Sequence, residues 1–166
     1  DIANLRAIAQ DIQGPVDQII HVAGILSSES FEDMDFQRIE KQFLVNSIGP
    51  LKAVKAFEKN LKPGTKIGLL TSRMGSIEDN DSGGMYGYRM SKAALNCAGK
   101  SLAIDLKSKD VIVLLLHPGY VRTDMTGGNG YIDPDESVSG LLKVIDSSTL
   151  ETSGHFFHTS GEELPW

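Results

Sequence analysis

Disulfide bonds, membrane spans and basic clusters have little basis in this sequence. Its only cysteine, Cys97, cannot form an internal disulfide, which suits a reducing compartment. No apolar run approaches the roughly 20 residues of a membrane-spanning helix, and no basic, apolar leader opens the chain. We therefore expect a cytoplasmic protein without a membrane partner. The net charge of -6 and the lack of Lys and Arg runs also disfavour a nucleic acid partner.

Candidate metal ligands are equally sparse. His155 and His158 are three positions apart on a predicted strand, so their side chains would point to opposite faces of a sheet. No metal site is predicted from them. Cys97 falls on the apolar face of a predicted helix, where a packed role is favoured over a reactive one.

What the sequence does contain is a regular alternation of helical and strand patterns. The predicted helices are 2–12, 35–59, 86–106 and 135–145, and the predicted strands are 16–22, 66–71, 111–116 and 155–158. This order predicts an α/β fold with a doubly wound parallel sheet and helices on both faces. The length of 166 residues fits one domain, 1–166.

Polar residues and glycines gather where three of the predicted strands end. These strand ends are His21 to Ile25, Thr71 to Gly75 and His117 to Thr123. In doubly wound sheets, ligands bind beyond the carboxyl ends of the strands. We therefore expect the functional site at this edge of the sheet.

Tyr88 and Lys92 lie four residues apart, which places a phenol and an ammonium on one face of the predicted helix. A nearby cation stabilises a phenolate and lowers the tyrosine pKa, so the pair suits proton transfer. Taken alone, the pair is better explained as a packed tyrosine beside a solvated lysine, because this spacing is common by chance.

Two further positions favour the catalytic interpretation. Ser72 ends a predicted strand, where its hydroxyl could donate to a substrate carbonyl oxygen, although a turn serine is the ordinary alternative. Asn46 lies in a long predicted helix four residues before Pro50, which has no N–H for the Asn46 carbonyl. That carbonyl is free to hold a water; the alternative is a kinked surface helix.

Taken together and in order, Ala23-Gly24, Asn46, Ser72, the Tyr88-x-x-x-Lys92 pair and Pro118-Gly119 resemble the short-chain dehydrogenase/reductase family. The stretches Thr71 to Ser76 and Tyr88 to Asn96 look most similar to its branch of C-factor and sniffer-like carbonyl reductases. The resemblance covers nearly the whole chain and implies a Rossmann-like fold.

The resemblance also implies roles for the site residues. Tyr88 would transfer the proton, and Lys92 would bind the nicotinamide ribose and tune Tyr88. Ser72 would polarise the substrate oxygen, and Asn46 would anchor a relay water. The residues implied to line the cofactor are Asp1, Ala23, Gly24, Tyr88, Lys92, Pro118, Gly119, Val121 and Thr123.

The implied activity is carbonyl reduction to an alcohol, with NADP or NAD as cofactor and NADP slightly favoured. The substrate would be a small carbonyl or alcohol compound, bound by the loops 24–31, 76–85 and 122–131. The two long helices resemble those that pair across family homodimers, but the same apolar stripes would serve a monomer core. Both oligomeric states stay open.

Two features depart from the family pattern. The family's Asn-Asn-Ala-Gly is replaced by His21-Val22-Ala23-Gly24. In the family, N-terminal strands and a glycine-rich phosphate loop come before the segment that residue 1 matches. These elements are not among the 166 residues, so we expect weak cofactor binding by this chain alone. The alternative function is therefore a non-enzymatic, C-factor-like signalling or protein-interaction fragment.

Overall fold

The computed structural model describes residues 1–12 and 14–166 and contains a parallel sheet at its centre. The strands are β1 (Gln18–His21), β2 (Lys66–Leu70), β3 (Ile112–His117) and β4 (Phe156–His158). They pair in the order β1-β2-β3-β4, and every neighbouring pair is parallel. Parallel neighbours require crossover connections, and helices provide them here.

Within the described residues 1–12 and 14–166, five α-helices lie around the sheet. They are α1 (Ile2–Asp11), α2 (Phe36–Phe43), α3 (Gly49–Ala56), α4 (Tyr86–Leu106) and α5 (Pro134–Ser147). Short 3-10 turns lie at Glu58–Asn60, Arg73–Gly75, Lys107–Lys109 and Asp124–Thr126. None of these helices combines the length and hydropathy that crossing a bilayer requires.

Strand β3 is buried on both of its faces. Val113 and Leu115 pack into one core with α3 and α4, while Leu114 and Leu116 pack into a second core with α5. All four side chains are fully buried. A continuous apolar run, rather than an alternating one, is what a strand between two helical layers needs. The predicted doubly wound fold is confirmed.

The long helix predicted at 35–59 is interrupted in the structure. Between α2 and α3, Leu44–Ile48 forms one turn of π-helix, in which the Gly49 N–H donates to the Leu44 carbonyl. Pro50, in the first turn of α3, lacks an N–H and cannot continue the α-helical pattern. The sequence therefore indicates the position of the irregularity, but not its form.

Two surface features complete the fold. Cys97 is exposed on α4, so the expectation that it packs into the core is wrong. Strand β1 lies at an edge of the described sheet, where Ile20 and the following Val22 are 41% and 63% exposed. Among residues 1–12 and 14–166, no group of three or more side chains is placed to hold a metal ion.

Candidate active site

The beginning of α4 and the ends of β2 and β1 bring the predicted proton-transfer residues together. Tyr88 lies in the first turn of α4 and is 8% exposed, and Lys92 follows one turn later and is 4% exposed. The Lys92 Nζ donates to the Leu70 carbonyl at 2.8 Å and lies 5.7 Å from the centre of the Tyr88 ring. The predicted pairing on one helical face is therefore present.

Burial determines the ionisation of this pair. It raises the pKa of the Tyr88 phenol, and a hydrogen bond from Ser72 offsets only part of that rise. The direction is opposite to the lowering that the sequence predicts, because desolvation of the buried ring is the largest influence on this phenol. Burial also lowers the pKa of Lys92 to about 8. Tyr88 therefore holds its proton at neutral pH and can donate it.

Ser72 lies two residues after the end of β2 and faces Tyr88. Its Oγ accepts the Met74 N–H at 3.1 Å, which caps the 3-10 turn Arg73–Gly75. That bond occupies a lone pair, so the hydroxyl can still donate its proton, either to the Tyr88 oxygen or to a substrate oxygen in front of Tyr88. The neighbouring Thr71 Oγ1 donates to Asn96 Oδ1 at 2.6 Å, and this hydrogen bond connects the end of β2 to α4.

Asn46 lies within the π turn and is fully buried. Its Oδ1 accepts the Ile25 N–H at 2.8 Å, and its Nδ2 donates to the Ile25 carbonyl at 2.8 Å and to the Ser91 Oγ at 3.0 Å. The Ser47 Oγ, beside it, donates to the Ser91 carbonyl at 2.7 Å. The Asn46 side chain thus joins the loop after β1 to α4.

A family model described as "short chain dehydrogenase" matches residues 1–130. The chain belongs to the short-chain dehydrogenase family. This confirms the predicted family and its oxidoreductase class.

Two curated relatives support this assignment. The 1-hydroxy-2-glutathionyl-2-methyl-3-butene dehydrogenase of Rhodococcus sp. (strain AD45) is 45% identical over 155 residues, which is 91% of this chain and 69% of the relative. The C-signal protein of Myxococcus xanthus is 42% identical over 166 residues, which is 98% of this chain and 100% of the relative.

Solved structures agree with the branch predicted from the sequence. The carbonyl reductase Sniffer of D. melanogaster superposes with a TM-score of 0.95 at 29% identity, over 100% of this chain and 75% of that one. An NADPH-bound carbonyl reductase from chicken fatty liver gives a TM-score of 0.93 at 28% identity, over 100% and 74% of the two chains.

The residues of this short-chain dehydrogenase fit the nicotinamide end of a dinucleotide. A Cβ on Gly24 would lie 3.4 Å from Asn46 Oδ1 and 3.6 Å from Lys92 Nζ, so the absence of a side chain keeps this cradle open. The Lys92 ammonium has three protons and donates one to Leu70, which leaves protons for ribose hydroxyls. Gly119 has a φ of +85°, which gives the backbone after Pro118 a turn that glycine favours.

The other predicted cofactor residues lie in more exposed positions. Ala23 follows β1 and is exposed; Val121 forms a bridge with Ile132 beyond β3. Thr123 is exposed and forms a capping box with Thr126 at the start of a 3-10 turn. Asp1 is the exposed N-cap of α1, where its side chain accepts the Ala3 N–H at 2.9 Å.

Sequence reasoning missed a buried polar cluster beside the start of α4. Glu29 is 4% exposed and Gln42 is 1% exposed, and their side chains hydrogen-bond at 2.9 Å. The available signal was a glutamine at a core position of α2. Glu29 gave no such signal, because its loop looks like any polar connection.

The His21 substitution in the family pattern places an imidazole near Lys92. Burial and the Lys92 charge both lower the pKa of His21, so it is neutral at neutral pH.

Proposed function

We propose that this short-chain dehydrogenase reduces a small carbonyl compound to an alcohol with Tyr88 as proton donor. The observation that carries the proposal is the buried, protonated phenol of Tyr88, which lies between the Ser72 hydroxyl and the Lys92 ammonium. A donor that holds its proton at neutral pH suits reduction better than oxidation. The intact arrangement does not favour the alternative of a non-enzymatic fragment.

The roles of the side chains follow from their positions. Ser72 donates a hydrogen bond to the substrate oxygen, keeps its own proton, and orients that oxygen toward Tyr88. Tyr88 then gives its proton to that oxygen as the carbonyl carbon is reduced. The Lys92 ammonium stabilises the phenolate that remains, and Asn46 keeps the neighbouring backbone in place.

NADP or NAD would supply the hydride to the carbonyl carbon when bound. We favour NADP, because solved neighbours include an NADPH-bound carbonyl reductase and a reductase in complex with NADP. Lys92, Gly24, Pro118 and Gly119 would hold the nicotinamide and its ribose. The comparison of kcat/KM for NADPH and NADH tests this choice.

We place the protein in the cytoplasm as a homodimer. The apolar side chains of Ile39, Phe43, Leu44 and Met90 line an open groove between α2 and α4, and Leu44 and Met90 are 59% and 52% exposed. Self-association would cover this groove. Light scattering of Leu44→Glu should then give a monomer where the wild type gives a dimer; a monomeric wild type overturns the dimer.

The test of the proposed reaction is the replacement of Tyr88 by phenylalanine in the full-length gene product. Aldehydes and ketones are offered with NADPH, and Tyr88→Phe should lower kcat by about three orders of magnitude while the Kd for NADPH stays within a few-fold. The matched control is Tyr86→Phe, which removes a phenol hydroxyl two residues away. Turnover of Tyr88→Phe within tenfold of wild type would overturn the role of Tyr88.

A further inference from the structure

The first turn of α4, which carries Tyr88, lacks a local cap in the described chain. Met85 at the N-cap position makes no side-chain capping hydrogen bond, and its φ of 53° lies in the left-handed region. Gly83 and Gly84 before it are also left-handed. Side chains with a Cβ disfavour this conformation, so the segment requires an outside contact to hold its shape.

That outside contact is Glu29, which lies 58 positions before Gly87. Its Oε2 accepts the Gly87 N–H at 3.1 Å, and its backbone carbonyl accepts the Met85 N–H at 2.7 Å. A carboxylate at the start of a helix also interacts favourably with the helix dipole. Glu29 therefore does from another loop what an N-cap residue ordinarily does.

The Glu29 carboxylate is itself held from the opposite side. Its Oε1 accepts the Ser27 Oγ–H at 2.5 Å and the Gln42 Nε2–H at 2.9 Å, and Gln42 Oε1 accepts the Ser27 N–H at 3.0 Å. Each donor in this group has one acceptor, and both Glu29 oxygens are used. A Cβ on Gly87 would overlap the Gln42 amide, so the helix approaches this cluster as closely as glycine permits.

We propose that Glu29 is a positioning residue for Tyr88. It fastens the loop after β1 and the loop before α4 to each other and sets the position of the phenol relative to Ser72. Reaction rates depend on such placement, because a shift of about 1 Å can lower turnover up to roughly 100-fold. The inference rests on the proposed carbonyl reduction, since it concerns the donor of that reaction.

The replacement of Glu29 by glutamine keeps the shape and breaks the pattern of donors and acceptors. The new side-chain NH2 group must point either at the Gly87 N–H or at the Gln42 NH2 group. If Gln42 flips to avoid the second clash, its own NH2 group points at the Ser27 N–H. Every arrangement therefore sets a donor against a donor. The exchanged pair, Glu29→Gln with Gln42→Glu, restores an acceptor for each N–H.

The experiment measures kcat and KM of the full-length gene product for NADPH-dependent carbonyl reduction, well below the unfolding temperature. Glu29→Gln should lower kcat by about 10- to 30-fold with the KM for NADPH within twofold, and the exchanged pair should return kcat to within about threefold of wild type. Glu32→Gln, an exposed charge removal on the same loop, is the matched control. A merely structural role would lower stability without this change in kcat.

Two outcomes overturn the inference: kcat of Glu29→Gln within twofold of wild type, or a loss that the exchanged pair does not restore. Failure of the proposed function is distinct, because the wild type would then reduce no carbonyl compound. In that case hydrogen exchange still tests the contact. The amides of 85–90 should exchange at least about tenfold faster in Glu29→Gln and regain protection in the exchanged pair.

Discussion

The proposed site has two halves, the residues proposed for proton transfer and the outer residues proposed to contact the cofactor. The two halves differ in how deeply the described chain buries them. Asn46, Ser72, Tyr88 and Lys92 are all less than a tenth exposed, whereas Asp1, Ala23 and Thr123 are exposed. A buried polar group without a partner costs stability, so the first group must be hydrogen-bonded to its surroundings. With the roles proposed above, proton transfer would use a preformed arrangement that includes the ribose contact of Lys92, while the outer cofactor contacts of Asp1, Ala23 and Thr123 would form on a surface.

Replacement of Lys92 by methionine should have the largest effect. It should lower the activity and raise the stability of the fold. We expect kcat to fall by about three orders of magnitude and the KM for NADPH to rise, because one ammonium serves both the phenol and the ribose. At pH 7 the free energy of unfolding should rise by about 2–3 kcal/mol, because a buried charge is removed. Lys52→Met, at an exposed lysine of α3, is the control.

The pH dependence of stability tests the same lysine. The folded pKa of Lys92 is about 8 against an ordinary value of 10.5, so the native state binds its proton less readily than the unfolded state. Wild-type stability should therefore gain from this group as the pH rises from about 8 to about 10.5, and Lys92→Met should lose that gain. Urea unfolding across this range checks the sign; equal slopes would contradict it.

Replacement of Asn46 by alanine should lower the free energy of unfolding, because Asn46 hydrogen-bonds the backbone around the buried half of the site. Three hydrogen bonds to Ile25 and Ser91 are lost, and the backbone of Ile25 is left without a partner on both groups. We expect a loss of about 2–4 kcal/mol in urea unfolding. Asn129→Ala removes an exposed amide and should cost less than about 0.5 kcal/mol. Equal losses at both positions would remove Asn46 from the framework.

His117, the last residue of β3, should make the free energy of unfolding sensitive to acid. Burial, helped by the charges of His158 and Arg73, lowers the pKa of His117 to about 3 from 6.5. Its contribution is complete above pH 6.5 and is lost as the pH falls toward 3, by up to about 1.4 kcal/mol per pH unit. The slope should flatten in His117→Gln, although His21 and His158 act in the same direction. Thermal unfolding between pH 7 and pH 4 measures it.

The smallest effect is expected in the exposed half. Thr123→Ala should raise the KM for NADPH by about three- to tenfold, leave kcat unchanged and lower the melting temperature only slightly, because the side chain lies on the surface and caps only a short 3-10 turn. Thr149→Ala, an exposed threonine after α5, is the matched control. A large fall in kcat for Thr123→Ala would show that the two halves do not differ as described.

The features that could be predicted from the sequence are those that depend on periodicity and on residues close together in the chain. The apolar run of β3 and the helical pattern of α4 were part of the alternation that predicted the fold, and Tyr88 and Lys92 share a helical face by spacing alone. The rise in the Tyr88 pKa could not be foreseen, because it depends on how much of the ring the surrounding loops bury. The Glu29 contact could not be foreseen either, since it joins two loops that are distant in sequence.

The single π turn at Leu44–Ile48 has a consequence for how this chain tolerates change in length. Helix α2 contacts α4, whereas α3 contacts α1 and β1, so the two helices before and after the turn serve different neighbours. Because the Gly49 N–H bonds to the Leu44 carbonyl across five residues, the turn takes up one residue more than an α-helical turn does. Deletion of one residue from 45–48 would give the same two groups ordinary α-helical spacing, so α2 would still face α4 and Val54 would stay in the core. The side chains of the turn itself would shift, and the contacts of Asn46 with Ile25 and Ser91 would be lost.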